Sequence, residues 1–256
     1  MHPRSLRCLA LLLPFFAFGQ GSARAADPLA ELRTKLGTLK SEQSSRATIS
    51  AKKVSNSNDE GEAKQQTQEV TVGAEIGPRG LTLTWTRPQV EAARQAARKK
   101  AANPDATSEK GVGLGILDAE QAAELLDYAE ALRIELEGAK LIADRLENRN
   151  GKPTRVLVVE PRLSLSTSER KSLKSSEDEL KVWLDSDGAP IATERKAHYK
   201  FSKFLISFEV QLHEIRSLAR LGGRLVVLQS SSEQTGAGLG RKGTTQEIVR
   251  VTPTAS

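Results

Sequence analysis

Cysteine is almost missing from this chain of 256 residues, and the one present, Cys8, lies in its first segment. Once that segment is set aside, disulfides, thiolate metal sites and cysteine nucleophiles are excluded together, and the fold has to stand on its core. Aromatic residues make up 4% of the chain, and three of the phenylalanines, Phe15, Phe16 and Phe18, also fall in the first segment. The rest are Trp85, Trp183, Tyr128, Tyr199, Phe201, Phe204 and Phe208. They are not interleaved with basic residues as stacking platforms would be, so nucleic acid is not an expected partner. Histidine is scarce too: beyond the first segment only His198 and His213 could titrate near neutral pH. No G-x-S-x-G elbow, H-E-x-x-H pair or thiolate cluster is present, and the expected function is non-catalytic, with no cofactor and no metal.

Long hydrophobic runs are also absent. The apolar stretch at residues 9–18 is interrupted by Pro14 and is about half the roughly 20 residues that span a bilayer. Arg4 and Arg7 precede it and Ala23-Arg24-Ala25 follows, the layout of a secretory signal peptide over residues 1–25 with the mature chain beginning at Ala26. The expected location is periplasmic or secreted, with no integral membrane segment after cleavage. Without the three leader arginines the formal charge falls from +6 to +3, too little to call for a polyanionic partner.

What remains reads as one α+β domain over residues 26–256. Asp27 caps a helix begun by Pro28, with Leu29, Leu32, Leu36 and Leu39 at helical spacing. Residues 46–54 read as a polar strand, and residues 55–66, with no hydrophobic face, as a solvated loop. Residues 69–76 and 81–86 flank a Gly-Pro-Arg-Gly turn, and Leu81, Leu83 and Trp85 alternate with threonines as a half-buried strand does. A helical insertion follows at about residues 88–138. Its first helix is rich in alanine and basic at its end, and its second places Ala122, Leu125, Ala129, Leu132 and Leu136 on one stripe behind an Asp118/Gln121 capping box.

From residue 139 the pattern is strand and turn. Asn150-Gly151 is a strong hairpin signal, and Asp185-Ser-Asp187-Gly188 and Gly222-Gly223 mark further turns. Residues 199–212 read as the central strand. From Phe204 onward Phe204, Ile206, Phe208, Val210 and Leu212 share one face and mostly polar residues the other. The expected fold is a large, curved antiparallel sheet, an open half-barrel, with an N-terminal helix and two inserted helices covering its concave face.

Three motifs carry little chemistry. Asp185-x-Asp187-Gly188 opens like a calcium loop but lacks the distal bidentate glutamate, so it reads as a turn. Glycine runs at residues 111–115 and 236–243 are not placed between a strand and a helix as phosphate cradles are, and read as loops. His198 and His213 fall out of phase with the apolar residues of their strands, which puts them on the wet face.

The order of leader, short helix, strands, inserted helices and hairpins, with LKVWLDSDGAPIATE at residues 180–194 as its best local match, resembles the LolA-type lipoprotein carriers and the related RseB-type periplasmic sensors. The resemblance implies an open half-barrel whose apolar concave face, covered by helices, holds acyl chains. The carriers' aromatic wall is here reduced to the segment around Tyr199 to Phe208 and the two tryptophans. The expected function is therefore a periplasmic binding protein that shelters an acyl chain, lipid or lipoprotein between sheet and helices. The candidate lining is Leu83, Trp85, Leu125, Leu132, Phe204, Ile206, Phe208 and Val210. The alternative is a cell-envelope interaction or scaffold protein, with a filled core, an envelope protein as partner and no small-molecule ligand.

Overall fold

The computed structural model describes residues 27–59, 62–103, 115–163, 165–203, 206–238 and 240–254. The expected leader and cleavage site lie outside these residues, as do Phe204 and residues 111–114 of the first glycine run. Helix α1 (Pro28–Thr38) comes first, followed by strands β1 (Ser45–Asp59), β2 (Glu62–Gly77) and β3 (Gly80–Thr84). The insertion holds α2 (Arg87–Ala102), α3 (Ala119–Leu126) and α4 (Tyr128–Glu135). Then come β4 (Lys140–Arg149), β5 (Lys152–Glu160), α5 (Thr167–Ser172), β6 (Leu173–Leu184), β7 (Pro190–Lys203), β8 (Ile206–Leu221), β9 (Arg224–Gly238) and β10 (Arg241–Thr254).

All ten strands form one open antiparallel sheet in the order β3-β2-β1-β10-β9-β8-β7-β6-β5-β4. The chain closes the middle of this sheet by pairing its first strand with its last, Ile49 opposite Val251. The two edges, β3 and β4, are consecutive in sequence, so the insertion between them has to cross the sheet. This crossing lays α3 and α4 on β9, with α3 reaching β2 and β3, while α1 packs on α4. We call the helix-covered side the inner face. Asp27 caps α1 by accepting from the Leu29 amide at 3.0 Å, and Leu29, Leu32 and Leu36 bury its apolar side. The inner core joins these to Ile49, Val72, Leu157, Leu180, Val182, Leu225, Val227 and Val251 from six strands of the sheet's two halves.

Several expectations need correction. The second inserted helix is two helices, broken at Asp127, whose φ of −149° and ψ of 67° leave the helical region. The expected stripe is buried, but the break rotates the helix so that Leu126 and Tyr128 are buried as well. At the break Arg224 of β9 meets Asp127, its Nη1 donating to the Asp127 carboxylate at 2.6 Å from an almost fully buried position. Helix α2 buries none of its described residues and is tied to the sheet by Gln89 Nε2 donating to the Thr71 carbonyl at 2.7 Å. The cover is thus made by α1, α3 and α4.

Residues 55–66 are not a loop: β1 and β2 pair along their whole length, Ser55 opposite Gln66 and Asn58 opposite Ala63. Water on both sides of this hairpin removes the apolar alternation that marks a strand. The glycine run at 236–243 likewise lies within β9 and β10, Gly236 opposite Gly243. Residues 199–212 belong to two strands rather than one, since β7 turns back into β8 with Lys203 opposite Ile206. The apolar period continues across that reversal, and Phe204-Leu205 carries none of the residue types that announce a tight turn.

Candidate functional site

Strands of 14–16 residues are about 50 Å long, and the helices cover only part of that length. Arg216 of β8 meets α3 and α4, so by alternation Glu214, Leu212, Val210 and Phe208 lie on the same inner face, progressively farther from the helices. Register adds Arg195, Tyr199 and Phe201 from β7, and Gly236 and Gly238 from β9. The candidate lining therefore separates into two groups. Leu125 and Leu132 (8% and 0% exposed) are part of the closed helix–sheet core, with Leu83 and Trp85 packed against it. Ile206, Phe208 and Val210 stand beyond the helices, half-buried or exposed, with Phe208 41% exposed.

Between the two groups runs a charged belt that sequence reasoning did not find. Arg216 Nη1 donates to the Tyr128 hydroxyl at 2.6 Å, and its guanidinium stacks 4.8 Å from the Tyr128 ring centroid. The same guanidinium pairs with Glu214 at 3.0 Å and Glu124 at 3.3 Å. Tyr128 in turn donates to Glu135 at 3.2 Å. Arg195 reaches Glu135 at 3.0 Å and forks onto Asp178 at 3.0 and 2.7 Å, while Tyr199 donates to the same Asp178. A fully buried tyrosine and the near-buried Asp178 carboxylate require such partners. Burial, reinforced by the Glu135 charge, pushes the Tyr128 hydroxyl far above its ordinary value. Burial and then Asp178 push Tyr199 up to about 12. Two guanidiniums face four carboxylates here, so the belt does not favour an anionic group.

At the edge of this belt lies a cavity of ≈ 620 Å³. Ala131 and Ile134 of α4 form one wall, and Pro161, Leu163 and Leu165, from the connection between β5 and α5, form another. Arg195, Tyr199 and Arg216 form the floor. Ile134 is 57% exposed despite its type, because it lies off the α4 stripe that faces the sheet. That phase error was legible in the sequence, and it is the signal that could have found the cavity. From the floor an apolar strip runs outward along the sheet. The Tyr199 and Phe201 ring centroids are 6.3 Å apart, and Phe201 stands opposite Phe208. The Phe208 ring lies on the backbone of Gly238, where a Cβ would come within 2.6 Å of it.

The outer face holds the histidines, as their phase indicated. His198 pairs with Glu209 at 2.6 Å and His213 with Glu194 at 2.8 Å. The Asp185–Gly188 turn is closed from within, Asp185 Oδ1 accepting from the amides of Asp187 and Ala189 at 2.9 Å, and Arg220 bridges Asp185 and Asp187. Among the described residues no group of three or more metal-ligating side chains comes together.

Two carboxylates near the belt make a pH prediction. Burial raises Glu247 and Glu124 above the ordinary carboxylate value, opposed by Lys53 and Arg216 respectively. A carboxylate whose folded value is raised favours folding fully below its unfolded value, and that contribution is lost as pH rises through the folded one. The thermal midpoint should therefore gain from these groups as pH falls toward 4.5, the ordinary value. Glu247→Gln should flatten that part of the profile and raise the midpoint at neutral pH; an unchanged profile would count against this assignment.

No protein-family model and no curated protein matches the chain. Among solved structures the chain is similar to the crystal structure of a DUF1329 family protein from Desulfovibrio piger. The identity is 9%, the TM-score 0.28, and the alignment covers 88% of this chain and 93% of that one. Among the described residues no helix is long and apolar enough to cross a membrane.

Proposed function

We propose that this protein is an exported envelope protein that works by binding and not by catalysis, and that it shelters the hydrophobic chain of a lipid or lipoprotein in the cavity beside α4. The observation that carries this reading is a ≈ 620 Å³ space with an apolar wall of Ala131, Ile134, Pro161, Leu163 and Leu165 over the charged residues of the belt, a volume typical of small-ligand sites. The reading moves the ligand away from Leu125 and Leu132, which fill the helix–sheet interface, to the margin of that interface. Burying about ten methylenes at ~0.8 kcal/mol each would supply enough affinity for a carrier. The acidic belt would keep an anionic head group at the mouth. Binding without chemistry fits the site's ionisable groups, whose carboxylates are held by guanidiniums, and the two histidines, which are occupied on the outer face.

The neutral fluorophore N-phenyl-1-naphthylamine tests the reading. It should brighten on binding and be displaced by a monoacylglycerol, and Ile134→Asp or Leu163→Asp should weaken it by about tenfold or more, because each places a charge in the apolar wall. Failure of the probe to bind, or equal binding by both variants, would remove the cavity as a lipid site. The packed core of Leu125 and Leu132 favours a second reading, an envelope interaction protein without a small ligand. That reading would be preferred if native mass spectrometry of protein from its own host gave only the bare mass.

A further inference from the structure

We propose that the β4 edge of the sheet pairs with the same edge of a second copy of this chain, forming a two-fold dimer centred on Leu146. Strand β4 ends the sheet, and among the described residues its only strand partner is β5. An edge strand directs every second set of backbone N–H and C=O groups away from its neighbour, and these groups can receive another strand. The opposite edge is less open, since β3 has five residues and touches α3. On β4 the ladder is interrupted by a bulge at Ile142 and then runs regularly from Ala143 to Arg149. In the middle of this regular stretch stands Leu146, 69% exposed, the most exposed large hydrophobic side chain among the described residues.

The side chains of β4 select its own copy as the occupant. Arg155 of β5 bonds Asp144 at 2.8 Å and reaches Glu31 of α1 at 3.8 Å, so Asp144, Leu146 and Asn148 belong to the inner face. Arg145 and Glu147 alternate with them on the outer face, where Glu147 also meets Lys181 of β6. In an antiparallel pair with its two-fold axis at Leu146, that leucine meets its counterpart, Asp144 meets Asn148, and Ala143 meets Arg149. Arg145 meets Glu147 twice, once on each side of the axis, which places opposite charges directly across the seam. The whole regular stretch, Ala143 to Arg149, is then paired, with roughly six to eight backbone hydrogen bonds. Moving the axis by one residue sets Arg145 on Arg145 or Glu147 on Glu147, and moving it to Asp144 sets that carboxylate on its counterpart. Charges on an edge strand deter pairing; here they reject the neighbouring registers and match the central one.

Sedimentation velocity of the purified chain tests the dimer. A contact of this size is at the small end of specific interfaces, so the sedimentation coefficient should rise from monomer to dimer over roughly 1–100 µM. Leu146→Lys sets two ammonium groups against each other on the axis and should weaken the dimer by about tenfold or more. Arg145→Glu and Glu147→Arg, each alone, should do the same, because each places like charges opposite each other on both sides of the axis. Mixed one to one, these two variants should dimerise again: the changed position of each copy faces the changed position of the other, and the untouched Glu147 of one faces the untouched Arg145 of the other. Leu146 and Arg145 are already exposed in the monomer, and circular dichroism checks that the sheet of each variant is intact. The inference falls if the wild-type chain stays monomeric throughout that range, if Leu146→Lys dimerises as wild type, or if the mixture remains monomeric. It also falls if the chain grows into larger assemblies, as pairing of β4 with β3 of another copy would produce. N-phenyl-1-naphthylamine binding should be unchanged by Leu146→Lys, so the dimer and the cavity reading stand or fall separately.

Discussion

Asp127→Ala should cost ~3–5 kcal/mol of folding stability, the usual loss when one partner of a buried ion pair is removed. The thermal midpoint should fall by roughly 10 °C for a chain of this size. The partner left behind is Arg224, whose side chain is 8% exposed. Its Nη1 has Asp127 as its acceptor at 2.6 Å, its Nη2 has only a long 3.5 Å bond to the Gln43 carbonyl, and its Nε has no partner. Asp127 also sets the break that lets Leu126 and Tyr128 both face the sheet, so the loss includes packing. Asp127→Asn, which keeps an acceptor but not the charge, should lose less. Asp127→Leu with Arg224→Met should recover most of the loss, because a desolvated ion pair can be exchanged for apolar contact at little net cost. Urea denaturation measures all three; a cost below about 1 kcal/mol for the alanine variant would mean that the helix break does not depend on this pair.

That same pair marks a limit of what the sequence could tell. Residues 118–137 carry an unbroken helical period, and Arg224, the residue paired with Asp127 at the break, is almost a hundred positions away. Local pattern was enough where geometry is local. Asn150 and Gly151 both take positive φ, 52° and 80°, as a two-residue hairpin turn requires. The capping box of Asp118 and Gln121 forms as its spacing indicates. Pattern failed where a strand has water on both faces. The distal halves of β1 and β2 have no apolar side, and their pairing rests on backbone bonds and cross-strand pairs such as Lys52 with Glu69 at 2.7 Å. The pairing of β1 with β10, across nearly the whole chain, leaves no local mark either.

The site was legible only in pieces. Phe208 and Val210 could be placed on the inner face from alternation, but where the helix cover ends depends on how far the insertion reaches across the sheet. The cavity walls come from Ile134, from Leu163 and from Tyr199, three segments with no shared motif. Arg195 and Arg216 look in sequence like ordinary strand charges, and only the register that sets them beside Glu135, Tyr128 and Glu124 makes them a belt.

Leu132→Ala separates the closed interface from the open cavity. Leu132 is fully buried between α4 and the sheet and belongs to the same cluster as Leu36, Leu157 and Leu225. Its truncation should cost ~2–5 kcal/mol, with the upper part of that range if α1 and the sheet cannot close over the gap. Both sit on rigid neighbours, α1 through its own buried leucines and β9 through Leu225 and Val227, so a large cost is expected. Yet Leu132 does not line the cavity, whose α4 wall is Ala131 and Ile134. The affinity for N-phenyl-1-naphthylamine, measured well below the lowered midpoint, should therefore stay within about twofold of wild type, whereas Ile134→Asp should show the converse: little change in stability, because its side chain is already in water, and a large loss of binding. If Leu132→Ala instead binds the probe much more tightly while losing little stability, the interface opens to ligand. The acyl chain would then belong between sheet and helices, as the sequence resemblance implied, and the cavity beside Ile134 would be only its entrance.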